Sequence, residues 1–371
     1  MLGSETRVID DAIGRPIAEV DTPALLLEIE AFDRNVRSMA DECAAMGKAL
    51  RPHIKSHKSP VAAHRQIAAG AVGITCAKIS EAEIMVAGGV SDLLISTVVG
   101  SPQKAERLCH LARRAKVTAV LDSDLGAGWL SEAASALGIV IDVLVDVNVG
   151  QNRTGLEPKD AKRLGEAVAK LPGLRLRGLQ GYEGNLQHVY GLEERTRLFA
   201  DSMSRLDEAR AGLVAAGLPT DWVTTAGTGT YRLSAAFPFV TEVQPGSYVV
   251  MDADYRKVEG PRFETALSVL TTIIGRYGDR AIVDAGSKSV STDAGQPVMK
   301  TLPGLRYSTA GDEHGKVVSE GTDLRALEVG AKIELLPSHC DTTVNLYDAV
   351  HIIRAGVVEE IWPIAARGRV Q

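Results

Sequence analysis

The sequence has few cysteines and no long uninterrupted apolar run. Its four cysteines, at positions 43, 76, 109 and 340, are far apart and form neither a CxxC pair nor a dense disulfide framework. This pattern excludes a disulfide-rich scaffold and favours a reducing, cytoplasmic setting. No apolar stretch approaches the ~18 residues that a transmembrane helix needs, so we expect no membrane partner. Residues 1–20 lack an apolar segment, and we expect no signal peptide.

Concentrated positive charge is also missing. The formal net charge is −6 and lysine and arginine form no long run, so the electrostatic signature of a nucleic-acid binder is absent. The 371 residues are 45% hydrophobic, and 36 of them are glycines, but only 4% are aromatic. A chain of this length and composition can bury a large core, and it is typical of α/β enzymes.

Eight short apolar runs alternate with helical patterns over residues 30–255. The runs are Ala49–Lys55, Gly73–Lys78, Asp92–Thr97, Val117–Asp122, Ile141–Asn148, Leu176–Tyr182, Trp222–Ala226 and Val243–Met251. Most are unbroken rather than alternating, which is typical of parallel strands covered on both faces. Eight such strands with crossover helices predict a (β/α)8 TIM-type barrel, with an open doubly wound sheet as the alternative.

The pattern changes after residue 255. Helical periodicity fades, and runs such as Lys332–Pro337 and Val350–Pro363 are separated by glycine and aspartate turns. This predicts a C-terminal β domain over residues 256–371. The early run Ala24–Ile29 has no place in the barrel, so residues 1–29 are expected to pair with the β domain.

Glycine and hydroxyl residues follow the predicted strands seven and eight. Loops at these two positions are the usual phosphate-binding place of such barrels, because glycine lets backbone N–H groups approach a phosphate. The candidates are Gly227, Thr228, Gly229, Thr230, Gly246 and Ser247. Ordinary turns are the alternative interpretation of either loop.

A basic cluster ends the first predicted strand. Arg51, His53, Lys55, His57 and Lys58 fall within Arg51-Pro-His-Ile-Lys-Ser-His-Lys58. Neighbouring cations or burial lower the pKa of a lysine and make its amine nucleophilic, whereas Lys58 is expected to be solvated. A reactive Lys55 beside a phosphate cradle suggests pyridoxal phosphate as the cofactor.

A possible metal pair lies in Ser338-His-Cys-Asp341 of the β domain. If this segment is a strand, His339 and Asp341 point to one side, since alternate residues share a face. One imidazole and one carboxylate suit Mn²⁺, Mg²⁺ or Zn²⁺. A polar strand end without metal is the alternative.

Together these motifs resemble a known family. They are Asp21-Thr-Pro-Ala-Leu, Arg51–Lys58, Gly150-Gln-Asn-Arg-Thr-Gly155, Gln244-Pro-Gly-Ser-Tyr248, Asp312-Glu-His-Gly315 and Pro337-Ser-His-Cys-Asp341. In this order they are similar to the D-threonine aldolase/D-serine dehydratase-like family, a branch of the alanine racemase-like pyridoxal-phosphate enzymes. The resemblance implies a (β/α)8 barrel, a C-terminal β domain, a divalent metal near the cofactor, and a homodimer with the active site near its interface.

The resemblance also implies residue roles. Lys55 would hold the cofactor as a Schiff base, and His339 and Asp341 would bind the metal. Contacts to the pyridoxal ring and the phosphate end are implied for Arg153, Tyr182, Thr228, Gly246, Ser247 and Tyr255. His188 and Asp312 resemble the positions that handle the substrate's β-hydroxyl. The chain departs from its relatives at Ala77, where glutamine is frequent, and at Thr225 or Ala226, where a third glycine is frequent.

The expected activity is an aldolase that cleaves D-3-hydroxy amino acids, such as D-threonine to glycine and acetaldehyde or D-3-hydroxyaspartate to glycine and glyoxylate. His-x-Asp resembles the aldolase branch, because hard oxygen ligation suits Mg²⁺ or Mn²⁺ whereas the His-x-Cys of the dehydratases favours zinc. A D-serine or 3-hydroxyaspartate dehydratase is the alternative enzyme. A non-catalytic pyridoxal-phosphate carrier is a third hypothesis, which the added β domain disfavours.

Overall fold

The described chain forms two sheets. The structure is a computed structural model that describes residues 11–300, 302, 304–319, 324 and 327–371. The first ten residues of the predicted segment 1–29 lie outside the described residues. One sheet is parallel with eight strands, and the other is mixed with nine.

Among the described residues, the helices are all too short or too polar to span a bilayer.

The parallel sheet closes into a barrel. After the first strand of the chain, β1 (Ala24–Glu28), its strands are β2 (Ala49–Leu50), β3 (Ile74–Cys76), β4 (Asp92–Ile95), β5 (Lys116–Leu121), β6 (Ile141–Asp146), β7 (Leu174–Gln180), β8 (Trp222–Thr225) and β9 (Glu242–Val243). They pair in the order β2-β9-β8-β7-β6-β5-β4-β3, and a parallel bridge between His53 and Thr75 joins the two ends of that row. The predicted (β/α)8 barrel is confirmed.

Helices cover the outside of the barrel. They are α1 (Ile29–Ala45), α2 (Pro60–Ala68), α3 (Ile79–Ala87), α4 (Pro102–Ala112), α5 (Asp124–Ala136), α6 (Pro158–Val168) and α7 (Leu192–Ala215). Proline stands at the start of α2, α4 and α6, where its missing N–H costs no helical hydrogen bond. Between β8 and β9 the crossover is a short 3₁₀ segment, Tyr231–Ala236.

The second sheet forms the β domain. Its later strands are β10 (Leu267–Tyr277), β11 (Arg280–Val283), β12 (Val298–Met299), β13 (Leu305–Thr309), β14 (Gly315–Ser319), β15 (Lys332–Leu336), β16 (Ala349–Arg354) and β17 (Val357–Pro363), with the short helix α8 (Cys340–Val344) before β16. Strand β1 lies between β10, to which it is antiparallel, and β16, to which it is parallel.

Three predicted strands differ from the structure. The first ends at Leu50 and the last barrel strand ends at Val243, and each continues into a loop with a single 3₁₀ turn, at Ile54–Ser56 and Ser247–Val249. Prolines in both loops lack the N–H of a strand ladder. The run Val350–Pro363 is a hairpin, because Ala355 and Gly356 adopt positive φ angles of 49° and 78° as a tight turn requires.

The predicted strand at His339–Asp341 is wrong. His339 precedes α8 in extended conformation, and Asp341 lies in the first turn of that helix. The side chains of His339 and Asp341 still lie on one side, but the start of a helix brings them there and not a strand. The side chain of Cys340 between them is buried.

Candidate active site

A cavity of about 340 Å³ opens at the carboxyl ends of the barrel strands. Sequence-predicted residues on its wall are Lys55, Arg153, Tyr182, Thr228, Gly246, Ser247 and Tyr255. They come from loops that follow different strands, and the barrel alone brings them together. A concave site of this volume can enclose a small cofactor.

Lys55 lies in the 3₁₀ turn that follows β2, and its side chain is 39% exposed to the cavities around it. Its Nζ atom is 3.3 Å from Oδ2 of Asp341. The Asp341 carboxylate raises the pKa of Lys55, against the effect of burial. The expectation that neighbouring cations lower this pKa is therefore wrong, because the nearest charge is negative.

The other basic residues of the cluster do not act as cations on Lys55. Burial lowers the pKa of His53 well below its usual range and that of His57 to about 4, so both rings are neutral. Lys58 is only 8% exposed and forms an ion pair with Glu81. The expectation of a solvated Lys58 is wrong, because a carboxylate on α3 compensates its buried charge.

The two glycine-rich loops meet at one end of the cavity. The Thr228 hydroxyl accepts a hydrogen bond from the backbone N–H of Tyr248, at 3.0 Å. Its own hydrogen is thus free to point elsewhere, and Thr228 lines the cavity beside Gly246 and Ser247. A Cβ at Gly246 would lie 3.1 Å from the carbonyl oxygen of His53, so only glycine fits there without movement.

Gly229 and Thr230 are not on the cavity wall. The N–H of Gly229 donates to the side-chain oxygen of Gln187 at 2.8 Å, and the Thr230 hydroxyl donates to Glu183 at 2.7 Å. Glu183 is fully buried, and burial raises its pKa. These groups hold the loop from beneath, and the expectation that both contact the cofactor does not match their hydrogen bonds.

Arg153 and Tyr182 stand together on another wall. The guanidinium lies 5.7 Å from the centre of the tyrosine ring. Burial raises the pKa of the Tyr182 phenol, which therefore stays protonated as a hydrogen-bond donor near neutral pH.

The floor of the cavity is a polar network that the sequence did not reveal. The Gln180 amide donates to Asp146 at 3.0 Å and to the Ser96 carbonyl at 3.1 Å, and Gln244 donates to Thr224 at 2.8 Å. Burial raises the pKa of Asp146 from its ordinary 3.8 to about 6. Asp146 and Gln180 end barrel strands, and Ser96 and Gln244 directly follow others, which is the signal that could have found them.

His339 and Asp341 face each other beside Lys55. Nε2 of His339 is 3.9 Å from Oδ2 of Asp341, and Nδ1 of His339 is 2.7 Å from Oδ2 of Asp293. Burial opposes ionisation of Asp293, but hydrogen bonds from Ser291 and His339 lower its pKa to about 2, so this carboxylate can accept a hydrogen bond from Nδ1 of His339. Asp293 was missed, because it lies in a turn 46 residues earlier.

His188 does not line the cavity but stacks beside Tyr255, which does, and Asp312 lies apart from both. Nδ1 of His188 is 2.7 Å from Oδ2 of Asp254, and its ring centre is 4.5 Å from that of Tyr255. Asp312 is 72% exposed on the turn between β13 and β14, where it is 3.8 Å from Lys288 and accepts a hydrogen bond from Ser287. Within one chain the structure does not bring Asp312 to Lys55.

Two family models match the chain: the alanine racemase N-terminal domain over residues 27–254 and a serine dehydratase domain over residues 266–353. A D-threonine aldolase of an Arthrobacter species is 42% identical over 96% of this chain and 95% of its own length. The chain belongs to the D-threonine aldolase/D-serine dehydratase-like family.

Further members of this family support the match. A 3-hydroxy-D-aspartate aldolase of Paracoccus denitrificans is 36% identical over 96% of this chain and 94% of its own length. The crystal structure of D-threonine aldolase from Filomicrobium marinum superposes with a TM-score of 0.94, at 45% identity, and covers 97% of this chain and 98% of that one.

The family depends on pyridoxal phosphate, and the cavity fits that group. A lysine lies at one side of the cavity, and two loops with hydroxyl and glycine residues lie at another. The lysine amine suits the aldehyde of the cofactor, and the two loops suit its phosphate. For a divalent metal, the chain offers two ligands, His339 and Asp341. No group of three candidate ligands occurs in the residues that the structure describes, so water or substrate would complete the shell of His339 and Asp341.

Proposed function

We propose that this protein is a pyridoxal-phosphate- and divalent-metal-dependent carbon–carbon lyase that cleaves D-3-hydroxy amino acids to glycine and an aldehyde. The observation that carries the proposal is the position of Lys55 between the two sites. Its Nζ borders the cofactor cavity and lies 3.3 Å from Asp341, which faces His339. A substrate held at Lys55 therefore has its β-hydroxyl within reach of the metal pair.

Lys55, Thr228, Gly246 and Ser247 would hold the cofactor, and Arg153, Tyr182 and Tyr255 would orient it. The chemistry supplied by the bound groups is delocalisation of the electron pair left on Cα and charge stabilisation at the β-oxygen. His339 and Asp341 would hold the metal, and Asp293 keeps His339 in the required tautomer. Mn²⁺ or Mg²⁺ fits this nitrogen and oxygen pair, and Zn²⁺ is a third option.

His188 is proposed as the base that takes the proton of the β-hydroxyl. Its Nδ1 faces the Asp254 carboxylate, and hydrogen bonds from Tyr190 and Lys257 keep the pKa of that carboxyl low despite burial. Nδ1–H then donates to Asp254, and Nε2 is the free acceptor. Asp312 is proposed to contact the same β-hydroxyl. It lies outside the active site of its own chain, so this role requires a second copy of the chain.

We also propose a homodimer with the active site near its interface, in the cytoplasm. The position of Asp312 supports the dimer. This residue is exposed and lies outside the site of its own chain, so it could contact a substrate only in the site of a second copy. Size-exclusion chromatography with light scattering tests the dimer. Twice the chain mass is expected, and monomeric, fully active enzyme would contradict it.

A dehydratase of the same family is the second candidate. It would release ammonia and a 2-oxo acid rather than glycine and an aldehyde. His339-x-Asp341 favours the aldolase, since it offers a hard carboxylate where the dehydratase pattern offers a thiolate. Both curated relatives named above are also aldolases.

The deciding experiment is mass analysis of the products formed from D-threonine, D-serine and D-3-hydroxyaspartate with added Mn²⁺. Glycine with acetaldehyde or glyoxylate is the expected result. Ammonia with a 2-oxo acid would replace the proposal by the dehydratase. A cofactor-loaded protein that turns over none of them would be a carrier.

A further inference from the structure

A second cavity of about 530 Å³ lies on the outer side of Lys55. It shares Lys55, Ala77 and Lys78 with the first cavity, and His339 and Asp341 lie on its wall. A substrate whose amino group lies beside Lys55 and whose β-hydroxyl lies at the metal pair would extend its β-substituent in this direction. The second cavity is thus the place where one D-3-hydroxy amino acid is distinguished from another.

The charges on this wall are unequal. Lys55 pairs with Asp341 and Lys58 pairs with Glu81, so these charges compensate each other. Two further cations, Lys78 and Arg369, line the cavity. In the part of the chain that the structure describes, no carboxylate forms an ion pair with either of them. Among the side chains that line this wall, positive charges therefore outnumber negative ones.

Arg369 is held at the cavity by a fixed chain segment. The Gln371 carbonyl oxygen accepts hydrogen bonds from the Ser80 N–H at 3.0 Å and the Ser80 hydroxyl at 2.7 Å. On the other side of Arg369, the Gly368 N–H donates to the Asn345 side-chain oxygen at 2.9 Å. Because the backbone is anchored on both sides, Arg369 stays at the wall of this cavity.

We propose that Arg369 is a specificity-determining residue that favours substrates with a carboxylate on Cβ. A guanidinium donates two parallel hydrogen bonds to a carboxylate, which fits the planar end of such a β-substituent. Leu346 and Val370 on the same wall accept a small alkyl group, so D-threonine still fits. Arg369 lines the second cavity and not the first, so we place it near the β-substituent rather than near the α-carboxylate that all substrates share. This inference rests on the proposed function.

The test compares Arg369→Ala with Arg367→Ala. Arg367 is also partly exposed on this segment, but it pairs with Asp348 at 2.9 Å and does not line the cavity. Steady-state KM and kcat are measured for D-3-hydroxyaspartate and for D-threonine. Arg369→Ala is expected to raise KM for D-3-hydroxyaspartate about tenfold, as loss of a hydrogen bond to a charged group does, with kcat and D-threonine cleavage nearly unchanged.

A second variant, Ser80→Ala, removes the hydroxyl anchor and is expected to cause a smaller loss of the same kind. An equal loss for both substrates would overturn the proposal, because Arg369 would then bind the shared α-carboxylate. An unchanged KM ratio in Arg369→Ala, or the same shift in Arg367→Ala, would also overturn it. If the native enzyme cleaves neither substrate, the proposed function fails instead.

Discussion

The Nζ atom of Lys55 and Oδ2 of Asp341 lie 3.3 Å apart, so one ion pair joins the lysine proposed for the cofactor to a carboxylate proposed for the metal. Burial opposes ionisation of Asp341, but the charge of Lys55 holds its pKa low, and Asp341 in turn raises the pKa of Lys55. A metal bound to Asp341 would release Lys55 from this ion pair, and a cofactor bound to Lys55 would release Asp341. The two binding equilibria are therefore linked, and each ligand should bind more tightly in the presence of the other.

Replacement of Lys55 tests the attachment of the cofactor. Lys55→Ala should abolish the borohydride-stable pyridoxal adduct, because no other amine replaces Nζ at that position. Lys78→Ala, which removes a second amine from the same cavity, should retain it. Peptide mapping by mass spectrometry checks both variants, and an adduct on Lys78 or Lys58 would contradict the assignment.

The cofactor cradle is tested by Thr228→Val combined with Ser247→Ala. The variant loses two hydroxyl groups that line the cavity, and a hydrogen bond to a charged group contributes about 1.5–3 kcal/mol. We expect the affinity for pyridoxal phosphate to fall by more than about tenfold in equilibrium dialysis. Ser101→Ala, which removes a hydroxyl that caps α4, serves as the control. Unchanged affinity in the double variant would mean that these loops are only turns.

Asp293 should control metal affinity without touching the metal. Asp293→Ala frees Nδ1 of His339, and loss of such a partner typically weakens metal binding about 10–100-fold. Asp341→Ala should bind Mn²⁺ still more weakly, and chelator should abolish activity until Mn²⁺ or Mg²⁺ is restored. Both variants should keep the cofactor absorbance spectrum. Asp348→Ala is the control, since this aspartate is 77% exposed and pairs with Arg367. Full activity in chelator would refute the metal's role.

Asp146 gives the protein a pH-dependent stability. Its pKa is about 6 in the fold against an ordinary 3.8, so between these values the folded state binds more protons than the unfolded state. The resulting stabilisation is complete below the ordinary value and is lost as the pH rises through about 6, with an upper limit of roughly 3 kcal/mol. The Asp146→Asn variant has no ionisable group at this position, so it should not lose this stabilisation as the pH rises. Its melting temperature relative to the native protein should therefore increase from acidic to neutral pH, and a constant difference would contradict the prediction.

The barrel and its functional end could be predicted because both depend on local signals. Unbroken apolar runs identify parallel strands, and residues that directly follow such strands must lie at one end of the barrel. Lys55, Thr228 and Ser247 were found in this way, and the structure brings all three to one cavity. The family itself followed from the resemblance of six short motifs, in this order, to those of its members.

Side-chain direction and long-range pairing could not be predicted. Ala226 adopts a positive φ of 64°, and the loop after it turns the Thr230 hydroxyl toward Glu183 rather than the cavity. Lys58 was expected to be solvated, because nothing near it in sequence indicates that Glu81 compensates its charge. Asp293 and His339 likewise meet only through the fold of the β domain.

The position of β1 has a consequence for how the molecule can be divided. This strand lies between β10 and β16, although about 240 residues separate it from β10 and about 320 separate it from β16. A fragment beginning after the barrel would lack the strand between these two and expose the unpaired edges of both, which promote association with other chains. The two halves therefore cannot be separated by a single cut, and the second sheet can be completed only after the first strand of the chain has met nearly the last, a non-local step typical of slow folding.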